Sequence, residues 1–258
     1  APRLLLVAEE VARATVIETN LGARGQALSC PVAEIVIGGT ASIEHVVVSE
    51  GGNETSLIGV RQDQIAAAGR YDAQTDTLDG QLIRTDIEVA LEGEGAEAKL
   101  DGLYLTDGGQ QADTHLVMRH RVPNCESHQL YKGILGGQSR AVFNGTIVVD
   151  QDAQKTNANQ SNRNLLLSDD AVANSNPQLE IFADDVRCTH GSTVGRLDDE
   201  AIFYMRSRGI GRDDARRLLT LAFAGEVLDR VPVEALRTRL QSEISDRLNA
   251  MTDSGVTA

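Results

Sequence analysis

Tryptophan is missing from this chain, and tyrosine and phenylalanine number only four each, so aromatics make up 3% of it. The 41% hydrophobic fraction must therefore come from Val, Ile, Leu and Ala, a composition suited to thin, repetitive β architectures. There is no apolar run near the roughly 18 residues of a membrane-spanning helix. Leu4 to Val7 is far shorter, and it lacks the charged n-region and small-residue cleavage site of a signal peptide. Cysteine is scarce too. Cys30, Cys125 and Cys188 are odd in number, widely spaced and without a CxxC, which gives no zinc-ribbon or redox motif. A reducing compartment is expected, the cytoplasm or a plastid stroma. Positive charge is in deficit, with a formal net charge of -14. That balance repels phosphate backbones and anionic lipid, so neither nucleic acid nor a membrane surface is an expected partner.

At 258 residues the chain can bury a sizeable core. It starts Ala1-Pro2-Arg3 without Met, from which we expect a processed start or a fragment of a longer protein. Residues 1 to 20 admit a short helix over Val7 to Ala14. The β-branched Thr15-Val16-Ile17 and the apolar run before it favour strand, turn, strand. From there to about residue 150 one phrase recurs, three to six β-formers followed by turn residues: EIVIGG, EHVVVSEGG, TSLIGV, QLIRTDIEVALEG, KLDGLYLTDGG, THLVMRH, QLYKGIL and AVFNGTIVVD. Such strands admit a sandwich, a barrel or a parallel β-helix. Irregular turns, few aromatics and an Asn-rich stretch from Asn144 to Asn176 favour the β-helix, because Asn suits the left-handed corners of stacked coils. No fixed repeat period is visible.

After Gly195 the pattern turns helical. Asp198 is placed to cap a helix over Asp199 to Arg208, which Gly209 closes. Arg212 to Arg230 carries Ala215, Leu218, Leu219, Ala222, Phe223 and Val227 at helical spacing. Pro232, in a first turn, opens a third helix striped by Val233, Leu236, Leu240, Ile244 and Leu248, with a tail frayed from Thr252. Residues 1–195 are thus expected to form the β body and residues 196–258 a helical domain.

Several constellations bear chemistry. The pairs Asp169-Asp170 and Asp184-Asp185 suggest general acid and base work on a β-helical carbohydrate hydrolase or lyase, but neighbouring strand residues face opposite ways, and paired aspartates at strand ends are commonly turns. His115, His120 and His128 lie near Cys125 without a metal-site spacing and read as a surface turn. Gly108-Gly109 and Gly136-Gly137 sit in no phosphate-loop context and read as turns. Cys188 and His190 stand two apart in LEIFADDVRCTHG, so a strand there would present thiol and imidazole on one face. By itself this soft-metal pair is incomplete, and packing explains it as readily as a site.

The stretches HRVPNCESHQLYKGILGGQSRAVFNGTIVVDQDAQKTNANQSNRNLLLSDDA and PQLEIFADDVRCTHGSTVGRLDDEAIFYMRSRGI closely resemble the SufB/SufD family of iron-sulfur cluster assembly proteins. The resemblance is dense over residues 115 to 230 and looser before them. It is nearer the SufD branch, because Asn162 falls where SufB has an acceptor cysteine and Gly191 where SufB has a glutamate. It implies a right-handed parallel β-helix followed by a small C-terminal helical domain, without the family's N-terminal helical segment. It also implies a non-enzymatic scaffold that pairs with a SufB-like paralogue through the β-helix and with a SufC-like ABC ATPase through the helices. His190 would then be the histidine facing the SufB cysteine at the shared site, with Cys188 beside it. The iron-sulfur cluster would be transient and shared, with none expected in the isolated chain. Thiolate and imidazole from two subunits suit such a labile centre. For the ATPase, Arg212, Arg216, Arg217 and Phe223 offer a basic and apolar surface. A bare strand edge also invites self-pairing, so a homodimer of the isolated chain is expected to be accessible.

Overall fold

The computed structural model describes residues 1–22, 25–52 and 54–254. Fifteen strands precede three helices: β1 (Arg3–Ala8), β2 (Arg13–Leu21), β3 (Ala27–Ser29), β4 (Val32–Ile37), β5 (Ser42–Glu50), β6 (Thr55–Ile65), β7 (Arg70–Asp79), β8 (Leu82–Leu91), β9 (Glu97–Thr106), β10 (Gln111–His120), β11 (Glu126–Leu135), β12 (Arg140–Val149), β13 (Asn157–Leu166), β14 (Val172–Ile181), β15 (Arg187–Gly195), α1 (Asp199–Ser207), α2 (Arg212–Leu228) and α3 (Glu234–Ser254). All strand pairing is parallel. One sheet runs β1-β4-β6-β8-β10-β12-β14, with β3 on β6, and the other runs β2-β5-β7-β9-β11-β13-β15. The chain thus alternates between two sheets and winds a β-helix of about seven turns. The opening strand, turn, strand reading holds, and residues 7 to 14 are not helical.

Each strand sends alternate residues into the bore. Ile35, Ile37, Ile43, Ile65, Val89, Leu91, Leu100, Met118 and Ile147 fill it, as the period-2 pattern of small aliphatics requires. Two of its few aromatics are tyrosines fitted by glycine. A Cβ at Gly102 would lie 2.4 Å from the Tyr131 ring, and one at Gly133 would lie 2.1 Å from that of Tyr104. Each glycine is thus the space its neighbour's ring occupies. Near the first coils the bore holds charge. Arg61 Nε donates to Asp63 Oδ2 at 3.0 Å, and His45 Nδ1 lies 2.9 Å from the Tyr71 hydroxyl. Removing one member of such a pair costs more than the pair contributes.

The coils are unequal. Register partners are 29 residues apart between Gln111 and Arg140 but 32 apart between Arg140 and Val172, which is why no fixed period shows in the sequence. The surplus lies at the corners. At one corner Val11, Thr40, Ala68, Asn124 and Lys155, with Gly95, take positive φ between 52° and 73°. Only one of these is Asn, so the corner reading of the Asn-rich stretch needs correction. Asn157, Asn159, Asn162 and Asn164 lie within β13, where parallel stacking lets side-chain amides bond along the ladder.

The helices cover a face of the body, the outer side of the second sheet. Ala224, Val227, Leu228, Leu236, Leu240, Ile244 and Leu248 join Val46, Val48, Leu103, Leu105, Leu130 and Ile134 in a second core. The sheet is therefore buried on both faces, as parallel sheets generally are. Asp198 caps α1 through the Glu200 N–H and Gly209 has φ +88°. Pro232 lies before α3, which begins at Glu234, and so is outside the first turn. The helix continues through Ser254, and residues 255–258, the rest of the tail expected to fray, lie outside the described residues. Among the described residues no helix is long and apolar enough to cross a membrane.

Asp76 is completely buried between this sheet and the helices. Burial pushes its carboxyl up to about 7, against hydrogen bonds from Gln74. Its folded-state value lies above the ordinary one, so the stability it contributes is full below about pH 4 and is lost as pH rises through 7. Asp76→Asn should accordingly gain stability over the parent as pH rises from 5 to 7 and keep that gain to pH 8, by at most ~3 kcal/mol over this range. Denaturant titrations of both proteins across that range check this, and a pH-independent difference would refute it.

Candidate functional site

Among the described residues β15 is the last strand of its sheet and has a partner, β13, on one side only. Its register sets Cys188 on Ala158, His190 on Gln160, Ser192 on Asn162 and Val194 on Asn164. All four residues beneath are buried and face the bore, so the four above face the same way. Among the described residues no further coil covers them. Cys188 remains half-buried against the core and His190 is exposed. The expectation of a thiol and an imidazole on one strand face therefore agrees with the geometry, and the face is the inward one at the open end of the β-helix.

The two side chains differ in readiness. Partial burial raises the Cys188 thiol above its ordinary value, against a backbone hydrogen bond at Ala158, so at neutral pH it is a thiol and not a thiolate. Among the described residues no three His, Cys, Asp or Glu side chains stand together to hold a metal ion. From this chain the end coil offers one imidazole and one protonated thiol, an incomplete ligand set.

The other sequence candidates separate. His115, His120 and His128 do not form a surface turn, since all three lie on strands. His120 is fully buried, 2.9 Å from Ser127 Oγ, and burial pushes it down to about 4, so it is a neutral core residue. His115 lies 3.0 Å from Asp113 within an outer-face network that includes Arg84. The aspartate pairs occupy turns at the two ends of β14, whose ten residues hold them roughly 30 Å apart. Glycosidase carboxylates need ~5–10 Å, so these pairs cannot act together within one chain. Gly108 and Gly137 are turn residues with φ of 56° and 53°.

On the helices, Phe223 belongs to the internal packing. Lys132 Nζ stands 4.3 Å over its ring, donates to its carbonyl at 2.8 Å and pairs with Glu226. Arg216 reaches the Leu167 carbonyl, and Arg217 bonds Asp214 and Asn249. Arg212 is exposed. The apolar surface these helices present outward comes from other residues, Phe203 at 73%, Tyr204 at 57% and Leu218 at 44% exposure, with the Arg208 guanidinium 4.5 Å over the Tyr204 ring. Their signal in the sequence was the crowding of FY beside the buried Ile202, which leaves part of an apolar helix uncovered.

The fold is thus a parallel β-helix whose last strand is uncovered at one end of the body, followed by helices packed on one flank. Residues 1–223 match the family described as SUF system FeS cluster assembly, SufBD core domain. The chain is 36% identical over 255 residues to an iron-sulfur cluster assembly SufBD family protein of Synechocystis, covering 95% of this chain and 56% of that one. It is 42% identical over 171 residues to the iron-sulfur cluster assembly protein SufD of Escherichia coli, covering 66% and 40%. It is also 31% identical over 255 residues to the chloroplastic protein ABCI7 of Arabidopsis thaliana, covering 96% and 53%. The chain belongs to the SufB/SufD family of the SUF iron-sulfur cluster assembly system. It spans about half the length of the curated relatives it matches.

Alkylation of Cys188 by iodoacetamide should be slower at pH 8 than that of an unstructured thiol peptide, and should still be rising above pH 9. Peptide mass spectrometry follows the site, and a peptide-like rate at pH 8 would contradict the raised thiol value.

Proposed function

We propose that this chain is the SufD-like, non-enzymatic scaffold subunit of a SUF assembly, and that its β15 end coil is one half of a cluster-building site. The observation that carries the reading is the uncovered end coil, which sets His190 and Cys188 on an unpaired strand edge with too few ligands to close a site. A SufB-like paralogue stacked on that edge would supply the remaining ligands. The nascent iron-sulfur cluster is cargo, held by one or two ligands from each subunit, and such a set releases it readily. His190 serves as a ligand through a ring-nitrogen lone pair, and Cys188 joins only after losing its proton. The residues provide position and lone pairs, with no acid-base pair for turnover. The isolated chain can also pair edge to edge with a second copy.

The SufC-like ATPase is assigned to the outward side of α1 and α2, at Phe203, Tyr204 and Leu218 with Arg208 and Arg212. Phe223, Arg216 and Arg217 act from within, fixing α2 to the β body and to α3. Deleting residues 209 to 258 would strip the cover from Val46, Leu103 and Leu130, so surface substitutions separate docking from folding.

Anaerobic cluster loading of the complex with SufB-like and SufC-like partners, read by visible absorbance and iron content, tests the site. His190→Ala should assemble normally and lose most of the cluster, while Cys188→Ala should lose less. Unchanged loading in His190→Ala would move the chemistry wholly onto the paralogue. For the ATPase, Phe203→Asp with Leu218→Asp should lower capture by about tenfold or more with the thermal midpoint nearly unchanged, because exposed positions contribute little to stability. Full capture by that variant would place docking elsewhere.

A further inference from the structure

The bore beneath His190 contains a side-chain ladder that the family relationship does not assign. One inward column of the second sheet runs Val16, His45, Ala73, Leu100, Gln129, Gln160, His190, each residue registered on the one before. Its last three members are polar. Gln129 and Gln160 are each 1% exposed, and Gln160 Nε2 donates to Gln129 Oε1 at 2.6 Å. With the nitrogen turned inward along the column, the Gln160 carbonyl oxygen is left over. Oε1 is buried and has no hydrogen-bond partner among the described residues. The space for this amide is made by Gly145 of the opposite sheet, where a Cβ would lie 2.5 Å from Gln160 Nε2.

We infer that Gln160 is a positioning residue for His190, its Oε1 accepting a ring N–H of the imidazole one rung above. The Gln160 amide dictates the direction, because its nitrogen is spent on Gln129 and only its oxygen is left for the rung above, to which His190 must donate. Strands about 4.8 Å apart bring stacked side chains within hydrogen-bond reach. An imidazole that donates through one nitrogen holds a bare lone pair on the other, directed away from the ladder toward the open end. A buried acceptor thus fixes the tautomer of an exposed residue, as the outer partners of ligating histidines do. The contribution to cluster building rests on the scaffold reading, whereas the hydrogen bond itself does not.

The test uses the full chain with ¹⁵N-labelled histidine at about pH 8, where long-range ¹H–¹⁵N spectra distinguish the two ring nitrogens, with His190 assigned by its loss in His190→Ala. One tautomer should dominate in the parent. Gln160→Met, close in shape and without the acceptor, should return the ring to a mixture, and Gln160→Glu, which restores an acceptor oxygen, should recover the single tautomer. In the assembled complex Gln160→Met should lower cluster retention by about tenfold, and Gln160→Glu should restore part of it. Ring shifts indifferent to Gln160→Met in a protein of unchanged thermal midpoint overturn the inference. If Gln160→Met does not fold, Gln160→Glu decides alone, since a ring tautomer unlike the parent's overturns the inference too. A fixed tautomer together with normal loading of the His190→Ala complex would sink the scaffold reading and leave the ladder standing.

Discussion

In-register parallel stacking is the constraint on which everything else rests. Each inward residue lies on one from the previous coil, so its shape and hydrogen bonds are judged against that neighbour. Tyr131 over Gly102, Gly133 over Tyr104 and Gln160 over Gln129 are three outcomes of this rule. Within the columns apolar rungs need only match in volume, while a polar rung needs a polar neighbour or remains unpaired at a cost of roughly 1–3 kcal/mol. The polar rungs accordingly gather in short runs, with Arg61, Asp63 and His45 near one end and Asn162, Asn164, Gln129 and Gln160 toward the other.

The two sheets have different environments, and that difference separates structure from function along the chain. The second sheet has the bore on one side and α2 and α3 on the other, joined by Lys132 to Glu226, Arg230 to Asp101 and Arg247 to Asp79. Its central strands are the most enclosed part of the molecule. Its last strand lies beyond the helices' cover, and there the inward residues become accessible. Burial thus decides which histidine packs and which stays accessible, His120 being sealed and neutral while His190 is exposed.

Much of this was legible in the residues. Short β-forming runs with turn punctuation showed a β body, irregular turns and scarce aromatics favoured a β-helix over a sandwich or barrel, and the caps at Asp198 and Gly209 placed α1 within a residue, whereas the Asn-rich stretch pointed to corners it does not form. The Cys188–His190 pair was visible because strand alternation is local. What escaped was set by contacts distant in sequence, from one coil apart to the 91 residues between Lys132 and Phe223. Nothing near Phe223 in sequence shows that Lys132 lies over its ring, and an apolar helical stripe does not say which of its members the body takes. The corner of left-handed residues was hidden because Val11, Thr40 and Lys155 are not residue types associated with positive φ, and stacking holds them there. Gln160 carried no signal at all until the register set it under His190.

The open coil can also be seen as the growth face of a one-dimensional crystal. Inside the solenoid every rung has already chosen its neighbour, but at β15 the lattice stops with its template exposed. Whatever adds there must continue the columns, meeting a thiol, an imidazole, a hydroxyl and a valine in sequence at 188, 190, 192 and 194. Selection at such a face is made by rung-by-rung compatibility, so changing one end residue alters what the face accepts while leaving the packed coils beneath it as they are.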